Sequence, residues 1–336
     1  MITLRPVRTS DINAIVSLSN RRLWQQHTGV DEWPTDPVKK TKMLPWERLT
    51  MYQKYLNGGV WCDPSMYKNH FNWLTRNGGF VLGAEETEGV MKRLVAFCEI
   101  WCAEEPSPIG KTGSVTIIQA DTTFTEDPIP KLYAFAKKEV RSRGFSTLAI
   151  CPFSSRALAA NLDDSRWELL ALNRKYRISR SELSPSELPH SVTDIPHSDL
   201  PMGDLLSLDQ SFVPSYLWAS LWEEFEQIPE MRGSMQRSQV RKVTIEKSGQ
   251  SINAVLWIWT LGDLEDYWRL GIWVSPEKRD DQELMYDLVR IAAQVWDEEI
   301  PGFELCVDEE NGSFLVNRQF KLDEEIPAEP RFYTAV

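Results

Sequence analysis

The chain has 336 residues, of which 42% are hydrophobic and 26% charged. This is the composition of a soluble globular protein that is long enough for two domains of ordinary size. A formal net charge of -12 argues against nucleic acid and against anionic membranes as partners, because both require a basic surface. No apolar run approaches the roughly 20 residues of a membrane-spanning helix, and the five cysteines show no disulfide or metal-binding spacing, so we expect a cytoplasmic protein without a metal site.

Residues 1–182 are predicted to form a first α/β domain. An opening strand is followed by a helix that begins at the capping residues Thr9 and Ser10. Beyond residue 79 the apolar pattern predicts, in order, a hairpin over residues 79–102, a strand over 115–119, an amphipathic helix over 130–143 that Gly144 ends, and a strand over 147–151.

A tryptophan-rich insertion, residues 21–79, interrupts this first domain. It has two alternative interpretations, an aromatic-walled substrate pocket or a helical lid packed on the sheet. The two histidines in it, His27 and His70, are expected to be structural or solvated rather than catalytic. The tryptophans of the insertion are Trp24, Trp33, Trp46, Trp61 and Trp73.

A Ser/Pro-containing connector is predicted over residues 183–197, and the order of elements then starts again. The second domain, residues 198–336, is predicted to open with a helix over 200–225. Three strands follow, over residues 240–246, 252–259 and 267–274. Because the same order of elements occurs twice, we interpret the chain as a structural duplication.

The most informative stretch follows the last of these strands, which ends at Val274. A turn leads into an amphipathic helix whose apolar stripe begins at Leu284, and another strand covers residues 303–307. A loop that opens onto a helix N-terminus is a potential anion site, because free N–H groups and the helix dipole point into it. The alternative is that Asp280 and Asp281 cap the helix and occupy that site themselves.

This stretch resembles the acyl-CoA-binding core of the GNAT superfamily of N-acyltransferases. Val274 and Pro276 match the Val-x-Pro that ends the family's strand, and Arg279 matches the start of its pyrophosphate loop. Gln282 and Leu284 stand where the family has glycines. The resemblance implies an α/β fold of two tandem GNAT-like domains, each with a mixed, mostly antiparallel sheet flanked by helices.

In the first half, the way residues 143–148 leave their helix also resembles the family. Its loop, residues 121–130, has no basic residue, and Pro128 and Pro130 remove backbone donors, so it is the poorer of the two sites for CoA.

The resemblance also implies an activity, the direct transfer of an acyl group from acetyl-CoA or another acyl-CoA to a small-molecule amine. The alternative is a catalytically inactive GNAT-like protein that binds a small molecule or a protein partner in its cleft. We expect a monomer or a homodimer. By position, the resemblance makes Glu265 or Asp266 the general base and Ser313 a weak substitute for the family's tyrosine acid. The residues it implies for cofactor binding are Trp273, Val274, Lys278, Arg279, Gln282 and Asn311.

Overall fold

The computed structural model describes residues 2–26, 28–30, 43–51, 54–55, 59–105, 110–121, 123–124, 127–150, 167–195, 239–259, 267–278, 281–296, 300–322 and 329–336. These residues fall into two compact units. The described residues before Ala171 form the first unit together with Arg331–Val336, and those from Ala171 to Pro330 form the second. Within the described ranges, no helix is both long enough and apolar enough to cross a membrane.

The first unit has a mixed sheet with helices on both faces. The strand order is β1-β4-β5-β6-β7-β15, and every neighbouring pair from β1 to β15 is antiparallel except the parallel pair β6–β7. Its strands are β1 (Ile2–Pro6), β4 (Phe80–Glu88), β5 (Met91–Glu105), β6 (Gly110–Ala120), β7 (Thr147–Ile150) and β15 (Glu329–Ala335). A separate two-stranded sheet consists of β2 (Thr28–Val30) and β3 (Met43–Pro45).

Three α-helices cover this sheet, and their apolar stripes explain why. The helices are α1 (Ile12–Gln26), α2 (Pro64–Arg76) and α3 (Ile129–Ser142). On one face, Leu132 and Val140 of α3 pack into an apolar core with β4, β5 and β6. On the other face, Ile15 of α1 and Tyr67 of α2 pack against a second core. Gly144 ends α3 with a φ of 83°, the left-handed conformation that glycine adopts without strain, as predicted.

The C-terminal strand completes the sheet of the first unit. β15 pairs antiparallel with β7, from Phe332 opposite Ile150 to Ala335 opposite Thr147. The prediction placed residues 1–182 in the first domain, whereas the compact units divide after Leu170 and the first unit also contains Arg331–Val336. Without β15, the edge of β7 would expose its backbone polar groups.

The second unit repeats the arrangement with the strand order β8-β13-β12-β11-β10-β9, and β14 also pairs with β8. The pair β12–β13 is parallel and the other pairs are antiparallel. Leu284, Leu288 and Ile291 of α4 pack on one face of this sheet, as the predicted stripe requires. The elements are β8 (Glu168–Ser179), β9 (His190–Asp194), β10 (Gln239–Lys247), β11 (Gln250–Trp259), β12 (Trp268–Val274), α4 (Gln282–Val295), β13 (Gly302–Asp308), α5 (Glu309–Asn317) and β14 (Lys321–Leu322).

The segment predicted as a connector, residues 183–197, contains the strand β9. This strand pairs antiparallel with β10, and Val192 packs against the apolar core of the unit. The Ser/Pro-rich composition that favoured a linker hid a short edge strand. The helix predicted over residues 200–225 lies outside the described residues.

Candidate functional site

The central parallel strands of the second unit separate soon after they meet. β12 pairs with β13 only where Trp268 lies opposite Phe303 and Arg269 opposite Glu304. β12 nevertheless continues to Val274, and β13 to Asp308. Residues 270–274 stay paired with β11 along one edge and are not paired with β13 along the other. This edge can therefore offer backbone polar groups to an extended ligand.

The first unit has the same feature. β6 and β7 pair in parallel over four positions, from Thr112 opposite Thr147 to Val115 opposite Ile150. β6 then runs on to Ala120 without β7, which ends at Ile150. Each unit thus has a parallel pair at the centre of its sheet whose strands separate toward their carboxyl ends.

Two of the predicted cofactor-binding residues, Trp273 and Val274, lie at the end of β12 with buried side chains. Val274 belongs to the core beneath α4. Trp273 points to the opposite face of the sheet and stacks on Trp257, with ring centroids 5.9 Å apart. Their side chains serve packing, so any contact with a cofactor would involve the backbone of β12.

The N-terminus of α4, the predicted anion site, holds a carboxylate of the chain itself. Asp281 is the N-cap residue, and its Oδ1 accepts a hydrogen bond of 2.9 Å from the Leu284 amide. Lys247 Nζ lies 3.3 Å from the other carboxylate oxygen. Burial acts to raise the pKa of Asp281, but the Leu284 amide and Lys247 outweigh it and hold that pKa below its ordinary value. The alternative in which aspartate caps the helix is therefore correct for Asp281.

The cations predicted to hold pyrophosphate are less prominent at this helix end. Lys278 is partly buried, and its Nζ lies 3.4 Å from Gln250 Oε1. Gln282 is exposed as the first residue of α4. Arg279 and Asp280 lie outside the described residues.

Replacing Asp281 with alanine is expected to lower the free energy of unfolding by about 0.5–2 kcal/mol, because the N-terminus of α4 loses its cap. Asp281→Asn keeps a capping oxygen and loses only the charge pairing with Lys247, so it should cost less. The contribution of the carboxylate is present at neutral pH and is lost as the pH falls through the lowered pKa of Asp281. Urea denaturation of both variants measures this, and equal losses would contradict a capping role.

The helix N-terminus in the first unit is capped in a similar way. Asp127 Oδ1 accepts a hydrogen bond of 3.0 Å from the Ile129 amide at the start of α3. Pro128 precedes the helix and Pro130 lies in its first turn, and neither has an N–H to donate. The expectation that this is a poor pyrophosphate site thus agrees with its geometry.

The predicted catalytic residues are not brought together in the described part of the chain. Glu265 and Asp266 lie outside the described residues. Ser313 and Asn311 lie in α5, which follows β13, and their side chains are also outside the described set. The assignment of a base and an acid therefore stays a prediction.

A buried carboxylate in the first unit was not predicted from the sequence. Glu99, in the middle of β5, is fully buried, and His70 Nε2 lies 3.0 Å from its Oε1. Thr116 donates a 2.8 Å hydrogen bond to the same oxygen. Trp61 and Tyr67 donate to Oε2 at 3.3 and 3.4 Å. Burial and the neighbouring carboxylate raise the pKa of Tyr67 well above its usual value, so its hydroxyl stays protonated and can donate.

This network joins the tryptophan-rich insertion to the sheet. Trp61 lies in a short 3₁₀ turn and Tyr67 and His70 lie in α2, whereas Thr116 is the extra residue of a β-bulge in β6. The sequence did contain a signal, because Glu99 is a single carboxylate inside the apolar run that forms β5. A charge in such a position requires partners.

Comparisons with known proteins agree with this architecture. No protein-family model matches the chain, and no curated protein matches it in sequence. Among solved structures, the chain is similar to a GCN5-related N-acetyltransferase from Anabaena variabilis ATCC 29413, with a TM-score of 0.58 at 6% identity over 99% of this chain and 72% of the other. It is also similar to Eis1 from Mycobacterium abscessus, with a TM-score of 0.53 at 13% identity over 100% and 73% of the two chains. The predicted fold class is thereby confirmed: the protein has the fold of the GNAT superfamily, with two GNAT-like units in one chain.

Proposed function

We propose that the protein is an acyl-CoA-dependent N-acyltransferase that passes an acyl group from the thioester directly to a small amine. The observation that supports this most is the separation of the central parallel strands in each GNAT-like unit. The pantetheine arm of CoA is an extended chain with two amides, about the length that the free edge of residues 270–274 can accommodate.

The pyrophosphate of CoA does not fit the N-terminus of α4 as it stands. Asp281 already accepts the Leu284 amide there, and Glu283 adds a second carboxylate in the first turn. Repulsion between two unit charges at about 5 Å amounts to roughly 1–3 kcal/mol at surface dielectrics. The helix dipole returns only about 0.3–2 kcal/mol. We therefore assign no chemical step to this helix end.

This misfit favours a second candidate function, a GNAT-like protein without catalysis that binds a small molecule or a protein partner. Its specific support is that Asp281 and Asp127 each occupy a helix N-terminus beside a separating strand pair. In both units the position that suits an anion is filled by a carboxylate of the chain.

Titration of acetyl-CoA into the full-length protein by calorimetry decides between the two candidates. The acyltransferase proposal predicts binding, followed by release of free CoA thiol when amines are added. An absence of heat at millimolar acetyl-CoA would exclude the enzyme and leave the second candidate.

If acetyl-CoA binds, Lys278→Glu is expected to weaken it at least tenfold, because the substitution replaces a cation by an anion beside the phosphates. Lys242→Glu makes the same charge change at an exposed position of β10 and should leave the affinity unchanged. Equal affinities of the two variants would place the cofactor in the first unit.

We further propose a cytoplasmic monomer or homodimer. Free thiols at Cys62, Cys98, Cys102 and Cys306 support a reducing compartment. Light scattering measures the oligomeric state.

A further inference from the structure

The second unit carries a charged row across its sheet, on the face opposite α4. Strand register places Arg269 of β12 opposite Glu304 of β13, and Glu304 opposite Arg177 of β8. Arg177 Nη2 lies 2.9 Å from Glu304 Oε2, and Lys175 Nζ lies 3.3 Å from Oε1. Arg269 Nε is 3.8 Å from Oε1. The row lies at the last paired position of β12 and β13, where the two strands begin to separate.

These four groups carry three positive charges and one negative charge. Burial acts to raise the pKa of Glu304, but Lys175, Arg269 and Arg177 together hold it below its ordinary value, so the carboxylate is ionised. The side chains of Lys175, Arg177 and Arg269 remain 20, 35 and 31% exposed. A small anion can therefore reach the cations that hold Glu304.

Asn173 lies two residues before Lys175 on β8, so its side chain points to the same face of the sheet. It is only 1% exposed, and neither Nδ2 nor Oδ1 has a hydrogen-bond partner among the described residues. A buried amide with both groups unsatisfied costs several kcal/mol, on the order of 1–3 for each group. A ligand that takes up the amide hydrogen bonds would remove that cost.

An aromatic wall lies next to this row on the same face. The Trp273 ring lies over Gly271, where an added Cβ would come within 2.5 Å of Cη2. Gly271 therefore lets the ring lie flat along β12, two residues beyond Arg269. Trp257 supports it from β11 by stacking. Charged, amide and aromatic groups thus share one face at the point of strand separation.

We propose that Asn173, Lys175, Arg177 and Arg269 bind the carboxylate of a small molecule that also carries an amine, an amino acid or a close analogue. The amine part rests on the proposed acyltransferase function, and the carboxylate part rests on the site alone. The ionised Glu304 selects carboxylate over phosphate, because it repels a phosphate dianion about twice as strongly as a singly charged carboxylate. The neighbouring tryptophans favour an apolar or aromatic side chain on the ligand.

The test is a calorimetric titration of the full-length protein, without acyl-CoA, by matched pairs of probes. L-phenylalanine is compared with phenethylamine and L-leucine with isopentylamine, since each amine lacks only the carboxylate. We expect an amino acid to bind at least tenfold more tightly than its amine, and inorganic phosphate to compete poorly. Lys175→Met should weaken amino acid binding at least tenfold, because a charge-assisted hydrogen bond is lost. Arg174→Met, on the opposite face of β8, is the control that should bind normally.

Equal binding of the acid and its amine would overturn the proposal, as would unchanged affinity in Lys175→Met or equal affinity for phosphate. An absence of binding by the whole set of protein L-amino acids at millimolar concentration would also overturn it. The acid–amine comparison uses the unmodified protein, so it stands even if a variant fails to fold. Because no titration contains acyl-CoA, loss of the acyltransferase proposal and loss of this site give different results.

Discussion

Replacing Glu99 with alanine is expected to destabilise the first unit by about 3–5 kcal/mol, the range observed when one partner of a buried charged network is removed. His70, Thr116, Trp61 and Tyr67 all direct donors or ring nitrogens at this carboxylate in the interior of the unit. Without it these groups are buried without their acceptor, and a cavity remains in β5. Urea denaturation followed by tryptophan fluorescence measures the loss.

Two further variants make this measurement specific. Glu99→Gln keeps the shape and one acceptor oxygen, so it should lose less stability than Glu99→Ala. Glu86→Ala removes a carboxylate that pairs with Arg93 on the partly exposed part of β4 and should cost less than about 1 kcal/mol. If Glu99→Ala cost no more than Glu86→Ala, the buried network would not be what holds the tryptophan-rich segment to the sheet.

The same network decides between the two interpretations of the insertion for the part that the structure describes. Tyr67 and Leu74 of α2 are fully buried against the sheet, and His70 is buried beside Glu99. This is the packed helical lid rather than an open aromatic pocket. His70 is structural, as expected, because its ring is enclosed between Trp61 and Trp73, with centroids 5.8 Å from each.

The sequence predicted the elements whose pattern is local. The stripe that begins at Leu284 became α4, and the helix predicted over residues 130–143 became α3 within one residue at each end. The resemblance at Val274 and Pro276 predicted the fold class that the structure confirms. Side-chain periodicity and capping are contained in a short window, so one sequence is enough to read them.

The remaining features depend on partners that are distant in sequence. Nothing near Phe332 indicates that its strand pairs with β7, and nothing near His190 indicates that it begins an edge strand beside β10. Likewise, Glu304 was predicted only as part of a strand, and its three cations come from β8 and β12. A site made of cross-strand neighbours becomes visible only once register is known.

Deleting residues 331–336 is expected to remove most of the stability of the first unit while the second unit stays folded. The deletion takes away four positions at which β15 pairs with β7. It also removes Val336, which packs against the core beneath α3 and whose amide donates to the Ser146 carbonyl at 3.1 Å. At about 1 kcal/mol for each net hydrogen bond, the loss is on the order of 4 kcal/mol before packing is counted. A domain of this size has only about 5–15 kcal/mol in total.

Hydrogen exchange resolved by mass spectrometry locates this effect. We expect the amides of residues 147–150 and of α3 to lose protection in the truncated chain, whereas those of β10, β11 and α4 keep it. A synthetic peptide of residues 329–336, added in excess, should restore protection to β7, because it can pair with the exposed edge and shift the equilibrium by mass action. If truncation left residues 147–150 protected, β15 would not be required for the sheet of the first unit. Rescue by the peptide would instead show that a strand some 180 residues away in sequence is an integral part of that unit, because pairing alone restores it.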